Sequence, residues 1–148
     1  MVKITNDTCI PTEHLKTIIR FAKPCGVSKF RIEFRNGYHN CMTGRAFIGQ
    51  RRVLIRFSTN IKFPKKIEAY GGYLPHIYLD QDEYLVSIVA HELRHLWQGK
   101  YWQRNKKRNG MVHGARGKYS ERDADAYAIR KQREWRKLNR KTFIPNLP

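Results

Sequence analysis

The five residues His91-Glu92-Leu93-Arg94-His95 form an HExxH sequence inside a run, Tyr84 to Tyr101, that is patterned as a helix. On an α-helix, positions i and i+4 lie one above the other, so His91 and His95 can present two imidazole nitrogens to one metal ion. Glu92 follows about 100° further round, where it can reach a metal-bound water. Zinc suits this set, because neutral imidazole and carboxylate are its usual ligands at catalytic sites. Zinc lowers the pKa of its water towards ~7 and polarises a carbonyl oxygen. Glu92 would then take the water's proton and pass it to a leaving amine. The chemistry predicted is hydrolysis of a peptide bond.

Two histidines and a water do not complete a catalytic zinc site, which takes three protein ligands and keeps one position open. Downstream, Ser120-Glu121-Arg122-Asp123-Ala124-Asp125 reads as the start of a second helix, with Ser120 as N-cap and Asp123 in a capping-box position. Glu121 and Asp125 share a face there at i, i+4. Glu121 can ligate the metal, and Asp125 can accept a hydrogen bond from the far ring nitrogen of His91 or His95 and so fix its tautomer. Ala124, Ala126 and Ala128 would let this helix pack closely on the first. The rival third ligand is His113, in Met111-Val112-His113-Gly114. If Glu121 holds the metal, His113 or Tyr119 could stabilise a developing oxyanion. Seven of the 12 Asp+Glu lie in Asp80–Glu92 and Glu121–Asp125, so acid is concentrated where a metal site would need it.

HExxH followed by a helix bearing Glu-x-x-x-Asp resembles the gluzincin metallopeptidases, on His91, Glu92, His95, Glu121 and Asp125. The wording HELRH … SERDADAYA is similar to the ImmA/IrrE-type peptidases, small intracellular enzymes that cleave DNA-bound repressors. The HExxH-then-His-Gly order is also similar to SprT-like proteases, which act on proteins crosslinked to DNA; there His113 would be the third ligand. The resemblance covers roughly residues 74 to 130. It implies one Zn2+ per chain, a protein or peptide substrate, and a minimal zincin-like fold. It also implies that the strand ahead of the HExxH helix, His76 to Leu79, borders the cleft and can pair with an extended peptide. Neither a helix-turn-helix segment nor the paired cysteines of a zinc ribbon accompany the motif.

The elements that must position these residues form an α+β pattern. The HExxH helix carries an apolar face of Leu85, Val86, Ile88, Val89, Leu93, Leu96 and Trp97, and Asp80, Asp82 and Glu83 crowd its start. Thr12-Glu13 opens an earlier helix with Leu15, Ile18, Ile19 and Ala22 on one face, ending before Pro24. Phe30, Ile32 and Phe34 alternate with charged residues as a half-buried strand, and Asn36-Gly37 signals a hairpin into a strand near Tyr38 to Thr43. Arg52 to Phe57 and His76 to Leu79 read as further strands. The expected architecture is a small, mostly antiparallel sheet packed against an HExxH helix and a Glu-bearing helix. It forms a single domain over 1–148: helix and strands in 1–73, the metal-site core in 74–141 and a tail in 142–148.

Thirty Lys+Arg against 12 acids give a net charge of +18. Such an excess implies a polyanionic partner, nucleic acid above all, gripped through its phosphates. Gln103 to Lys118 contains no acid and carries Arg104, Lys106, Lys107, Arg108, Arg116 and Lys118, the expected phosphate contacts. A basic nucleic-acid-binding or packaging protein with a structural or vestigial metal site is the alternative reading. Cys9, Cys25 and Cys41 form no CxxC pair and are expected as buried free thiols. No apolar stretch reaches transmembrane length and no secretory h-region opens the chain, so a cytoplasmic protein without membrane partners is expected.

Overall fold

The computed structural model describes residues 1–37, 40–68, 76–102 and 118–143, without the side chains of 118 and 140–143. Strict alternation builds the sheet. In β2 (Phe30–Asn36), Phe30, Ile32 and Phe34 are buried; in β4 (Arg52–Phe57), Val53, Ile55 and Phe57 are buried. Successive strand side chains point to opposite faces, so one face of the sheet is apolar and the other carries the intervening charged residues. With β1 (Val2–Asn6) and β3 (Met42–Phe47), the strand order is β1-β2-β4-β3. A separate antiparallel pair joins β5 (Lys65–Ile67) to β6 (His76–Tyr78).

The α+β class is as expected, but the sheet is mixed rather than mostly antiparallel. β1 with β2 and β2 with β4 are parallel; β3 with β4 is antiparallel. The reason is α1 (Thr12–Ala22), which crosses from β1 to β2 and sets them parallel, as a helical crossover does. Asn36-Gly37 does not turn a hairpin. The Gly37 N–H donates to Phe57 O at 2.7 Å, extending the β2–β4 ladder, and β4 stands between β2 and β3. β4 takes that central place because Val53, Ile55 and Phe57 are wholly buried there. The hairpin is instead β3–β4, closed by a 3-10 turn at Ile48–Gln50 and by Arg51 at φ 48°.

α1 buries Leu15, Ile18, Ile19 and Ala22, as its periodicity requires. α2 (Gln81–Tyr101) starts three residues before Tyr84. Its N-cap Asp80 accepts from the Glu83 N–H at 2.9 Å, while the Glu83 carboxylate accepts from the Leu79 N–H at 3.0 Å. This reciprocal pairing satisfies two amides that a helix start would otherwise orphan. Leu85, Val86, Val89 and Leu93 are completely buried, which places α2 at the centre of the hydrophobic core. α3 (Lys118–Phe143) begins upstream of Ser120, so Ser120 sits buried inside the first turn and is not the N-cap. Ala124 and Ala128 are buried; Ala126 faces solvent. The Tyr127 hydroxyl donates to Ala22 O at 2.7 Å and ties α3 to α1. The three cysteines are free, but Cys9 and Cys25 are exposed rather than buried, because they fall in the turns after β1 and α1. Among the described residues no helix is long and apolar enough to cross a membrane.

Candidate metal centre

α2 and α3 lie antiparallel, pinned at both ends. At one end, the Arg136 Nε donates to Glu83 Oε2 at 2.8 Å. Gln132 Nε2 reaches the Ile77 carbonyl at 2.6 Å. At the other, Arg94 grips Asp123 in a bidentate pair, Nε to Oδ2 at 2.8 Å and Nη2 to Oδ1 at 3.1 Å. The pairing brings the first turn of α3 against the HExxH face.

The result is a triangle. His91 Nε2 and His95 Nε2 lie 3.2 Å apart. Glu121 Oε2 is 3.1 Å from the first and Glu121 Oε1 is 3.1 Å from the second. Three ligands of a tetrahedral zinc, at about 2.0–2.1 Å from the ion, stand about 3.3 Å from one another. The observed edges fit that figure. Glu92 also has an oxygen within 4.8 Å of both imidazoles, although adjacent helix positions point about 100° apart. Glu121 thus has the spacing of a third donor, and Glu92 stands beside the triangle.

Gln98 sets the chemistry of His95. Its amide Nε2 donates to Ser120 O at 2.8 Å and to Asp123 Oδ2 at 3.0 Å, both pure acceptors. That fixes Gln98 Oε1 as the atom facing His95 Nδ1, at 2.8 Å, and the ring must carry its proton there. In the neutral ring, the His95 Nε2 lone pair then points at Glu121 and His91. A carboxylate and two imidazole nitrogens converging at 3.1–3.2 Å suit a shared cation, whether a proton on an imidazole or a metal ion. Burial opposes a charged His95; Glu121, Glu92 and Gln98 outweigh it and hold the imidazole pKa above its ordinary value. Burial pushes the Glu92 carboxyl upward, against the pull of His91 and His95.

A cavity of about 280 Å³ opens beside the triangle, lined by Met42, Thr43, Gly44, Ile67, His76, Tyr78, Tyr84, Ser87, Ile88, His91, Glu92 and Asp125. β3, the edge strand of the four-stranded sheet, forms one wall. Gly44 lets it close on α2: a Cβ there would lie 2.6 Å from Glu92 Cγ. β6 forms another wall, so His76 does face the cleft. Its Nε2 lies 2.6 Å from the Tyr78 hydroxyl, which is 3.0 Å from Ser87 Oγ. Tyr78 stacks on Tyr84 at 4.2 Å, and burial keeps its hydroxyl protonated far above the ordinary range.

Asp125 is buried and lines this cavity beside His91, but the far nitrogen of His95 is bonded by Gln98, not by Asp125. Tyr119 is 67% exposed and does not line the cavity. His113, Arg104, Lys106, Lys107, Arg108 and Arg116 lie outside the described residues, as does the side chain of Lys118. Sequence reasoning missed Gln98, whose signal was a polar residue three positions after His95 on the same helix face, and Gly44, which carried none. No protein-family model, curated protein or solved structure matches the chain.

Proposed function

We propose that this chain is a zinc-dependent endopeptidase. The observation that carries the reading is the near-equilateral set of His91 Nε2, His95 Nε2 and the Glu121 carboxylate, with Glu92 buried at its side. His91, His95 and Glu121 would hold one zinc. Bound zinc supplies an acidified water and a polarised carbonyl. Glu92 accepts the proton from the attacking water and returns it to the leaving amine, the role its burial and raised pKa suit. Gln98 holds His95 in the tautomer that leaves Nε2 available. The edge of β3, unpaired among the described residues, and the wall made by β6 offer an extended peptide two strands to lie along. The net charge of +18 supports substrates that are themselves close to nucleic acid, with residues 103–118 contributing phosphate contacts.

The test is metal content beside proteolysis. Wild type should hold one zinc per chain, Glu121→Ala should lose it and His113→Ala should keep it. Glu92→Gln should keep the zinc and the fold while peptide cleavage disappears. Loss of zinc from His113→Ala alone would transfer the third-ligand role to His113. A Glu92→Gln protein as active as wild type would remove the peptidase reading and leave the basic nucleic-acid-binding alternative.

A further inference from the structure

The face of the sheet turned away from the helices is a lattice of cations. Register places Lys3, Arg31 and Arg52 side by side across β1, β2 and β4. Arg35 stands beside Arg56, and Arg45 on β3 points the same way, opposite Leu54. One acid, Glu33, shares the face, and its carboxylate is taken by Arg35 at 2.9 Å and Arg52 at 2.5 Å. Lys3, Arg31 and Arg56 are exposed and make no ion pair among the described residues. Like charges directly opposite one another destabilise a sheet, and parallel strands are ordinarily covered on both faces. A surface that keeps both features gains if an anion covers it.

We propose that this sheet face is a docking surface for the phosphate backbone of nucleic acid. It goes beyond the metal centre and deepens the nucleic-acid part of the reading above by giving it a place in the fold. Five of its six cations are arginine, whose planar fork suits phosphate oxygens and gives up its hydration readily. Same-face side chains recur about every 6.7 Å along a strand and about every 4.8 Å across strands. A backbone carrying a phosphate about every 3.4 Å per strand therefore meets several of these groups at once. Among the described residues of its strands, the face offers no exposed apolar anchor for a lipid surface. Its apolar members are half-buried, and Phe47 is flanked by Arg45 at 5.2 Å and Arg52 at 4.7 Å from its ring centroid. The contacts would be made to phosphates and would be indifferent to base sequence.

The experiment is anisotropy titration of a labelled duplex of about 20 base pairs at several salt concentrations. The variants are a face triple, Lys3→Gln with Arg31→Gln and Arg56→Gln, and a loop triple, Lys106→Gln with Lys107→Gln and Arg108→Gln. The face triple spares the Glu33 pairs, and thermal melting verifies its fold. Its affinity should fall at least ~10-fold, and its salt slope should shrink by about 2–3, close to one unit per lost phosphate contact. Wild-type affinity and slope in the face triple would overturn the proposal, while a weakened loop triple would leave nucleic-acid association standing elsewhere on the chain. A wild type that binds no duplex would overturn both. Binding to phosphatidylserine-containing vesicles through these residues, without duplex binding, would replace nucleic acid by a membrane and overturn it too. Zinc content, unchanged in every arm, keeps the metal reading separate.

Discussion

Gln98 Oε1 sits 2.8 Å from His95 Nδ1, and the same amide spends both its N–H groups on α3. One side chain thus joins the helix that carries His91 and His95 to the helix that carries Glu121. The amide cannot flip without facing its N–H groups to the imidazole and its oxygen to a carbonyl and a carboxylate. Gln98→Leu should weaken zinc binding by about 10–100-fold, the usual cost of removing a ligand's supporting hydrogen bond. Asp123→Asn, which leaves the His95 acceptor in place, should change zinc affinity much less. Chelator competition measures both, and equal affinities for Gln98→Leu and wild type would refute the role.

Gly44 and Glu92 make the second relationship. A methyl group at 44 would stand 2.6 Å from Glu92 Cγ and 3.0 Å from Cδ. Contacts that short force a shift, and Glu92 is the group with somewhere to go. Gly44→Ala should keep one zinc and lower the melting temperature by a few degrees, while peptide cleavage falls on the order of 100-fold because the base is displaced from its water. Full activity in Gly44→Ala would mean that Glu92 is not held where the backbone of β3 places it.

That His91 and His95 share one face, and Glu121 and Asp125 another, was legible because both are i, i+4 patterns within single helices. α1 and the buried strands were legible for the same reason: local periodicity follows burial. The sheet's connectivity was not. Asn36-Gly37 carries a strong turn signal, yet β4, paired at a separation of 21 residues, outcompetes β3 as the partner of β2 through Val53, Ile55 and Phe57. Gln98 and Asp123 acquire their functions only when α2 meets α3, and nothing in either helix's own pattern announces that contact. β5 is three residues long with no alternation to read.

Acid should unfasten the two ends of α2. Burial would raise the Glu83 carboxyl, but hydrogen bonds from Arg136, the Leu79 N–H and Gln132 prevail and hold it below its ordinary value. Asp123 is likewise pushed up by burial and brought below by Arg94 and Gln98. A folded pKa below the unfolded one contributes stability that is present above the unfolded value and is lost as pH falls through the folded one. Stability should therefore hold from pH 7 down to about 4.5 and decline below it. Glu83→Gln should cost about 2 kcal/mol at pH 7, less than a fully buried pair because Arg136 is partly exposed. That deficit should shrink towards pH 3. Urea unfolding across this range checks it, and a deficit as large at pH 3 as at pH 7 would show that the carboxylate's charge is not what matters.

Arg94 occupies a variable position of HExxH, yet it does what lysine cannot. Its guanidinium is bidentate to Asp123 and stacks with its Cζ 3.6 Å from the Trp97 ring centroid, with Tyr127 at 5.1 Å. Arg94→Lys preserves the charge and removes the fork and the plane, which separates geometry from electrostatics. The expected loss is about 1–2 kcal/mol, or a melting temperature lower by about 3–6 °C for a chain of this size. Asp123 would then rest on Gln98 alone, so the looser amide should also weaken zinc binding by a few-fold through His95. Scanning calorimetry with and without zinc reads both effects. A lysine variant that melts with wild type would mean that charge alone holds α3 to α2, and that the fork is incidental to the metal centre.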